Sequence, residues 1–382
     1  MGTPKGSAPV KFRSERDSLV EALATAGRAV GGRGGNSPVL SGLLLHCEGN
    51  HLSATGTDRD LTVRVELEVI GIDDGSCVVP ARLAADIVRS LEPGAVTIEG
   101  GEEKVEISAA RSRFGLRAFP VVEFPVVAVP EGTTISLPGD SLAEGLRQVV
   151  RAASSDDARP LLTGVLLTNE AGGIRLVATD SYRLALRDLT GTGGLPEGED
   201  ILVPARALGE LQRLSSAPGT AESPGALPVA MATSPHEISF TLGAVRISTR
   251  LLDGSYPDYR QLIPDHYPNR LHLGKESLIA ALRRVRLLVR DNTTPVRLSM
   301  RPGGVDLSVN SQEVGDASET VDGDFTGEEL VIAFNPSYLI DGVEAVLGDE
   351  VVIETADAGK PATVRGAEHD DFRYLLMPVR VS

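Results

Sequence analysis

The sequence repeats itself three times, and this repeat constrains the fold more than any other feature. A Thr-Asp pair occurs at residues 57–58 and again 122 residues later, at 179–180. The sequence Val-Pro-Ala-Arg occurs at 79–82 and again 124 residues later, at 203–206. A weaker third copy begins at Val296. Ordered matches at a nearly constant spacing predict successive domains of one design.

Each repeat has the same internal order: a helix, alternating strands, a second helix and further strands. Leu61, Val63 and Val65 alternate with polar residues, as in a half-buried strand. Apolar residues spaced four, three and four apart predict helix faces at Leu142, Leu146, Val149 and Ala153, and at Leu278, Leu282, Val285 and Val289. The fold class is therefore α+β: three similar domains, each with two helices and antiparallel sheets. The predicted boundaries are a flexible tail at 1–10 and domains at 11–130, 131–266 and 267–382, with a mobile loop near 215–228.

The overall charge limits how the chain can meet nucleic acid or membrane. Its 53 acidic and 37 basic residues give a net charge of −16, which argues against coating DNA or an anionic membrane with the whole surface. The sequence contains no run of 18 apolar residues that would predict a membrane span, and its start lacks the apolar core of a signal peptide. Cys47 and Cys77 are too few for a Cys₄ zinc site and are expected to be buried thiols in a reducing cytosol.

Catalytic signatures are absent from the sequence. There is no P-loop, HExxH, GxSxG or CxxC motif. The glycine-rich stretch at 31–35 lacks the lysine of a phosphate cradle and is interpreted as a loop. His369-Asp370-Asp371 is interpreted as a solvated acidic turn rather than a metal site. The duplicated Thr-Asp pair is predicted to cap a strand end, not to supply a catalytic acid. No metal and no cofactor is expected.

Basic residues recur at matching places in the repeats. Between Lys275 and Arg290 there are five basic residues and one acid. Arginines recur on the predicted helices, which favours a shared basic lining inside an acidic body: Arg82, Arg89, Arg147, Arg151, Arg206, Arg213, Arg283, Arg286 and Arg290, with Arg33 as a further single candidate. The second helix of the third repeat is the exception, because it has no basic residue and carries Asp341 and Glu344.

An ordered set of landmarks along nearly the whole chain resembles the bacterial DNA polymerase III beta subunit, the sliding-clamp family. These landmarks are Thr57-Asp58, Val79-Pro80-Ala81-Arg82, Arg111-Ser112-Arg113-Phe114, Ala178-Thr179-Asp180, Arg183-Leu184-Ala185, Tyr256-Pro257, Phe334-Asn335 and Met377-Pro378-Val379-Arg380. The resemblance implies a DNA clamp fold, with three domains forming half of a ring. It implies a non-catalytic, cytoplasmic, head-to-tail homodimer around duplex DNA that tethers the polymerase III alpha subunit, the clamp loader and other proteins with clamp-binding motifs.

The resemblance also implies two further surfaces. The joint between subunits would include Arg111, Arg113, Phe114, Leu287 and Leu288, with Asp316 and Glu319 as candidate partners for the arginines. A pocket for short, partly apolar peptides would include Leu162, Thr179, Arg183, Leu184, Pro257, Leu262, Asn335, Tyr338, Leu376, Met377, Pro378, Val379 and Arg380. Arg183 and Arg380 are expected to face polar or acidic groups of the peptide.

Three alternatives stay open. Ser181-Tyr182 and the ending Val381-Ser382 depart from the family's usual residues. They leave room for a specialised, paralogous clamp with an altered pocket, for example one that tolerates an inhibitor. The less favoured alternatives are an enzyme with an unrecognised site and a carbohydrate-binding module, which the 4% aromatic content disfavours.

Overall fold

The computed structural model describes residues 9–31, 37–125, 134–170, 172–195, 198–216, 227–264, 266–290, 294–311 and 313–380. Most of the predicted tail and of the predicted loop near 215–228 therefore lies outside the described residues, as does Arg33. The chain divides into two compact units. One comprises residues 1–139 and 213–251, and the other comprises residues 140–212 and 252–382.

The order of elements repeats three times. The first repeat contains β1 (Val10–Glu15), α1 (Arg16–Ala26), β2 (Gly42–Glu48), β3 (His51–Thr57), β4 (Leu61–Glu68), β5 (Ile70–Asp73), β6 (Gly75–Pro80), α2 (Ala81–Ser90), β7 (Ala95–Gly100), β8 (Lys104–Ala109) and β9 (Ser112–Arg117). The second contains β10 (Thr134–Leu137), α3 (Gly139–Val149), β11 (Gly164–Glu170), β12 (Gly173–Thr179), β13 (Arg183–Thr190), β14 (Ile201–Pro204), α4 (Ala205–Ser215), β15 (Val229–Thr233), β16 (Glu237–Leu242) and β17 (Val245–Arg250). The third contains β18 (Asn269–Gly274), α5 (Lys275–Val285), β19 (Val296–Arg301), β20 (Gly304–Ser311), β21 (Gly315–Thr326), β22 (Leu330–Phe334), α6 (Pro336–Ala345), β23 (Glu350–Thr355), β24 (Ala362–Gly366) and β25 (Phe372–Leu376).

Antiparallel sheets connect the repeats. The first unit contains a five-stranded sheet, β5-β1-β7-β8-β9, and an eight-stranded sheet, β10-β15-β16-β17-β4-β3-β2-β6. The second unit contains one twelve-stranded sheet, β14-β11-β12-β13-β25-β24-β23-β18-β21-β20-β19-β22. Pairing of β4 with β17 joins the first two repeats, and pairing of β13 with β25 joins the last two. The α+β class and the three similar domains are therefore confirmed.

The helices bury the faces that the sequence predicts but end earlier. Leu142, Leu146 and Val149 are at most 2% exposed, so this face of α3 lies in the core. The chain then tightens into a short 3₁₀ turn at Val150–Ala152, and α5 likewise continues as a 3₁₀ turn at Arg286–Leu288. Such tightening is common at helix ends, where the last carbonyls lack α-helical partners. Among the described residues, no helix is long and apolar enough to cross a membrane.

Candidate functional site

The duplicated Thr-Asp pair builds the same tight turn in two repeats. Between β12 and β13, the Asp180 carboxylate accepts hydrogen bonds from the backbone N–H groups of Tyr182 (2.9 Å) and Arg183 (3.0 Å). Between β3 and β4, Asp58 accepts from the N–H groups of Asp60 (3.1 Å) and Leu61 (2.8 Å). The prediction that this pair caps a strand end is confirmed, because both carboxylates satisfy backbone donors that the strands leave open.

Backbone strain marks both turns. Ser181 has φ = 80° and Arg59, at the matching position, has φ = 84°. A non-glycine residue with positive φ costs free energy, so the surrounding hydrogen bonds must hold it. The turn between β12 and β13 thereby projects Tyr182 outward, where 58% of it is exposed.

Arg183 lies at the centre of a buried charge network. Its Nε lies 3.0 Å from Asp180 Oδ2, and its Nη1 lies 2.6 Å from Asp341 Oδ2. Its Nη2 donates to the Arg151 carbonyl at 2.5 Å, and its guanidinium carbon lies 4.3 Å from the centre of the Tyr338 ring. Burial alone would lower the pKa of Arg183, but its hydroxyl and carboxylate neighbours outweigh burial and raise this pKa above the usual value.

This network changes the role expected for Arg183. The family resemblance implies that its charge faces a bound peptide, whereas only 10% of the side chain is exposed and two carboxylates already engage it. Arg183 instead fixes the position of the Tyr338 ring above it. The backbone of Tyr338 is held as well, because the Tyr374 hydroxyl donates to its carbonyl at 2.9 Å. The sequence does not predict Asp341 and Tyr374 as neighbours of Arg183, since nothing local relates them to a residue more than 150 positions away.

The last described residues are held by backbone hydrogen bonds. The Met377 N–H donates to the Tyr182 carbonyl at 2.9 Å, and the Val379 N–H donates to the Ala333 carbonyl at 2.7 Å. The Met377 side chain is 41% exposed, while Pro378 and Val379 are half-buried and Arg380 is exposed. The segment therefore presents an apolar surface in a fixed position rather than as a frayed end.

The other residues expected in the pocket differ in their exposure: some lie on the surface and others are buried in the core. Leu262, at the end of a 3₁₀ turn, is 43% exposed, and Pro257 is exposed, while Leu162 is half-buried. The Asn335 side chain caps α6 by accepting from the N–H groups of Ser337 and Tyr338. Leu184, Leu376 and Thr179 are at most 5% exposed, so they support the surface from below instead of forming it.

The arginines expected to line DNA differ in their surroundings. Arg82 and Arg89 on α2 are exposed, as are Arg206 and Arg213 on α4. Only Arg283 belongs to α5, because Arg286 lies in the 3₁₀ turn and Arg290 beyond it. The prediction that Arg283, Arg286 and Arg290 stripe one helix is therefore wrong, although all three are exposed.

Arg147 binds the C-terminal end of the neighbouring helix α6. Its guanidinium donates to the carbonyls of Glu344 (3.2 Å) and Ala345 (3.0 Å) and pairs with Glu144. Gln148 donates to the Ala345 carbonyl at 2.9 Å. Donors at a helix C-terminus satisfy open carbonyls and favour the helix dipole, so Arg147 stabilises α6. The interpretation of Arg147 as a loose phosphate contact does not fit this geometry.

The residues expected at a subunit joint lie on exposed elements. Arg113 and Phe114 belong to β9, which pairs only with β8 among the described strands, and Phe114 is 37% exposed. Leu287 is 82% exposed and Leu288 is half-buried. Glu319, a candidate partner for arginines of a second subunit, already pairs with Arg284 of its own chain at 2.6 Å.

Replacing Asp180 with Asn should lower the free energy of unfolding by about 3 kcal/mol, because it removes a carboxylate from a nearly buried arginine. Asp258→Asn is the control, because Asp258 is exposed and its carboxylate likewise accepts a backbone hydrogen bond at a turn, from the Arg260 N–H at 3.3 Å. The control should cost about 1 kcal/mol or less. Urea unfolding followed by circular dichroism measures both, and equal losses would show that the contact with Arg183 contributes nothing.

Three repeats of one antiparallel plan, with recurrent exposed arginines and a fixed apolar surface near the end of the chain, describe a binding protein of the DNA-clamp class. Models of the N-terminal, central and C-terminal domains of the DNA polymerase III beta subunit match residues 10–128, 136–258 and 260–380. The beta sliding clamp of Streptomyces coelicolor is 34% identical over 391 residues, covering 98% of this chain and 100% of that protein.

Two further relatives agree. The beta sliding clamp homolog GriR of Streptomyces muensis is 30% identical, covering 97% of this chain and 99% of that protein. The crystal structure of the Bartonella birtlesii sliding clamp bound to griselimycin matches with a TM-score of 0.91 at 30% identity, covering 98% of this chain and 100% of that one. The chain belongs to the DNA polymerase III beta subunit family, and its function is that of a sliding clamp in DNA replication.

Proposed function

We propose that two copies of this chain assemble head to tail into a ring around duplex DNA. The ring tethers the polymerase III alpha subunit, the clamp loader and other proteins with clamp-binding motifs, without catalysis or a cofactor, in the cytoplasm. Within each subunit the domains run over residues 11–130, 131–266 and 267–382. The observation that carries this proposal is the recurrence of exposed arginines at matching helix positions in a chain whose net charge is −16.

Physical requirements of sliding support this reading. A ring that encloses DNA is retained by topology, so it needs few phosphate contacts, and phosphates carry no sequence information. A head-to-tail contact between different ends of one subunit closes a ring when the rotation is right. The edge strand β9 would also gain a partner in such a joint, which removes an exposed sheet edge.

Retention on circular and linear DNA tests the proposal directly. Clamps loaded onto a nicked circular plasmid by a bacterial clamp loader should stay bound through gel filtration. Cutting the plasmid with a restriction enzyme should release them, because a ring slides off free ends. Equal retention on both forms would show an ordinary DNA-binding protein instead.

Removing the charge of exposed lining arginines should flatten the salt dependence of DNA binding. Arg82, Arg286 and Arg290 have no ion-pair partner within the described part of the chain, so they are available to phosphates. Each change to Gln should reduce the slope of log affinity against log salt concentration by about one unit.

Fluorescence anisotropy measures this slope on labelled, nicked duplex circles of two unrelated sequences, onto which a bacterial clamp loader places the ring. Arg301→Gln is the control, because Arg301 pairs with Asp306 at 2.9 Å and is not an expected lining residue. A change in preference between the two sequences would contradict the proposal, since it would indicate contacts with bases.

A specialised, paralogous clamp is the second candidate. It is favoured by Ser181-Tyr182, because Tyr182 is 58% exposed beside the backbone that holds Met377. Griselimycin, which the Bartonella birtlesii clamp binds in its crystal structure, is a direct probe. Weak binding in calorimetry that strengthens in a Tyr182→His variant would support the specialised clamp, and tight binding by the unaltered chain would reject inhibitor tolerance.

A further inference from the structure

The third repeat reverses a charge that the first two repeats share. The second helices begin at Ala81, Ala205 and Pro336. The residue eight positions after each start is Arg89, then Arg213, and then Glu344. The residue five positions after each start is acidic in all three helices: Asp86, Glu210 and Asp341. In α2 the acid and the arginine pair with each other at 2.9 Å. In α6 the same spacing instead places two carboxylates together.

Arginines from other elements supply the missing positive charge. Arg283 Nη2 lies 2.8 Å from Glu344 Oε1, and Arg151 Nη1 lies 3.3 Å from Glu344 Oε2. Arg151 also lies 3.9 Å from Asp341. The arginine side chains are 55% and 64% exposed, whereas that of Glu344 is 27% exposed. Burial raises the pKa of Glu344, but the hydrogen bonds from Arg283 and Arg151 outweigh it and lower the pKa, so the carboxylate is ionised at neutral pH.

We propose that Glu344 is a built-in counter-anion that holds Arg151 and Arg283 in the place of a DNA phosphate. The inference rests on the proposed encirclement of DNA. It adds a residue that weakens the contact between the lining arginines and the DNA phosphates. A phosphate must displace the Glu344 carboxylate before it gains either arginine, and an arginine with an internal partner releases little counterion. This part of the lining therefore contacts the duplex weakly, which lowers the resistance to sliding.

The Glu344 side chain does not restrain Arg147. Arg147 donates to the backbone carbonyls of Glu344 and Ala345, not to the Glu344 carboxylate. Changing the Glu344 side chain leaves those carbonyls in place. A Glu344→Gln variant is therefore expected to release Arg283 and to loosen Arg151, which keeps the Asp341 carboxylate at 3.9 Å, while Arg147 stays on the end of α6.

Glu344→Gln should steepen the salt dependence of DNA binding. The full-length chain is loaded by a bacterial clamp loader onto a fluorescein-labelled, nicked duplex circle and titrated over a series of salt concentrations. The slope of log affinity against log salt should grow by about one to two units, one for each released arginine. Asp306→Asn is the matched control: it makes the same change in net charge, but Asp306 pairs with Arg301, outside the expected lining. A slope for Glu344→Gln equal to that of the control would overturn the proposal.

A pair of arginine variants tests the same idea without relying on Glu344→Gln being stable. Arg286 has no ion-pair partner within the described residues, so Arg286→Gln should lose about one unit of slope. Arg283→Gln should lose less than about half a unit in the unaltered chain, because the Glu344 carboxylate already occupies that arginine. Equal losses for Arg283→Gln and Arg286→Gln in the unaltered chain would refute the counter-anion.

Different results would reject the encirclement of DNA and the role of Glu344 as a counter-anion. If the chain does not encircle DNA, linearising a plasmid does not release the protein, whatever the slopes of the variants are. If only the counter-anion is wrong, Arg286→Gln still flattens the slope while Glu344→Gln behaves like Asp306→Asn.

Discussion

Deleting Met377–Ser382 should abolish binding of a clamp-binding peptide while the protein stays folded and assembled. The deletion removes Met377, which is 41% exposed, and the half-buried Pro378 and Val379 beside it. A short, disordered peptide must gain enough from a few apolar anchors to offset its own ordering, so loss of the surface they contact is not compensated elsewhere. Strand β25 ends at Leu376, so its pairing with β13 survives the deletion.

Calorimetric titration with a peptide from the polymerase III alpha subunit measures the loss, and sedimentation of the same sample reports assembly. Met377→Ala keeps the test valid if the deletion unfolds the chain, and it should cost about 1–3 kcal/mol of binding free energy. Ile70→Ala is the control, because Ile70 is exposed by 63% but is not among the expected pocket residues. Unchanged affinity in a folded Met377→Ala variant and in the deletion would reject the pocket.

The fold could be predicted because short-range residue patterns in each repeat indicate the order of its helices and strands. Alternation at Leu61, Val63 and Val65 is visible in the sequence, and these residues are at most 7% exposed in β4. The offset between the repeats then assigns the same order to the other copies. The ends of α3 and α5 were not predictable, since the apolar spacing continues through Ala153 and Val289 although the backbone tightens after Val149 and Val285.

The sequence proposes candidate site residues but does not reveal the side chains that each of them contacts in the fold. The sequence places Arg183 beside the Thr-Asp turn, and the structure brings Asp180 and Asp341 onto its guanidinium. Only the pairing of β13 with β25 and the packing of α6 create that environment, and neither leaves a local pattern. The same holds for Glu344: the sequence shows an acid where the first two repeats have an arginine, but only the fold shows that Arg151 and Arg283 contact it.

Replacing Leu287 and Leu288 with Ala should convert the proposed ring into monomers. Leu287 is 82% exposed in the single chain, so a joint that covers it would bury nearly the whole side chain. Truncating a fully buried leucine costs about 2–5 kcal/mol, and every 1.4 kcal/mol is about a tenfold change in the dissociation constant. Leu288 is already half-buried within its own chain. Leu287→Ala alone should therefore account for most of the effect.

Sedimentation velocity over a concentration series distinguishes the outcomes. The unaltered chain should remain dimeric at concentrations where the double variant sediments as a monomer, and Leu287→Ala should lie closer to the double variant than Leu288→Ala does. Val122→Ala is the matched control, because Val122 is 84% exposed but is not among the residues expected at the joint. Since both leucines lie outside the expected pocket, the monomeric variant should still bind the peptide. A double variant that stays dimeric at the lowest measurable concentration places the joint elsewhere on the chain.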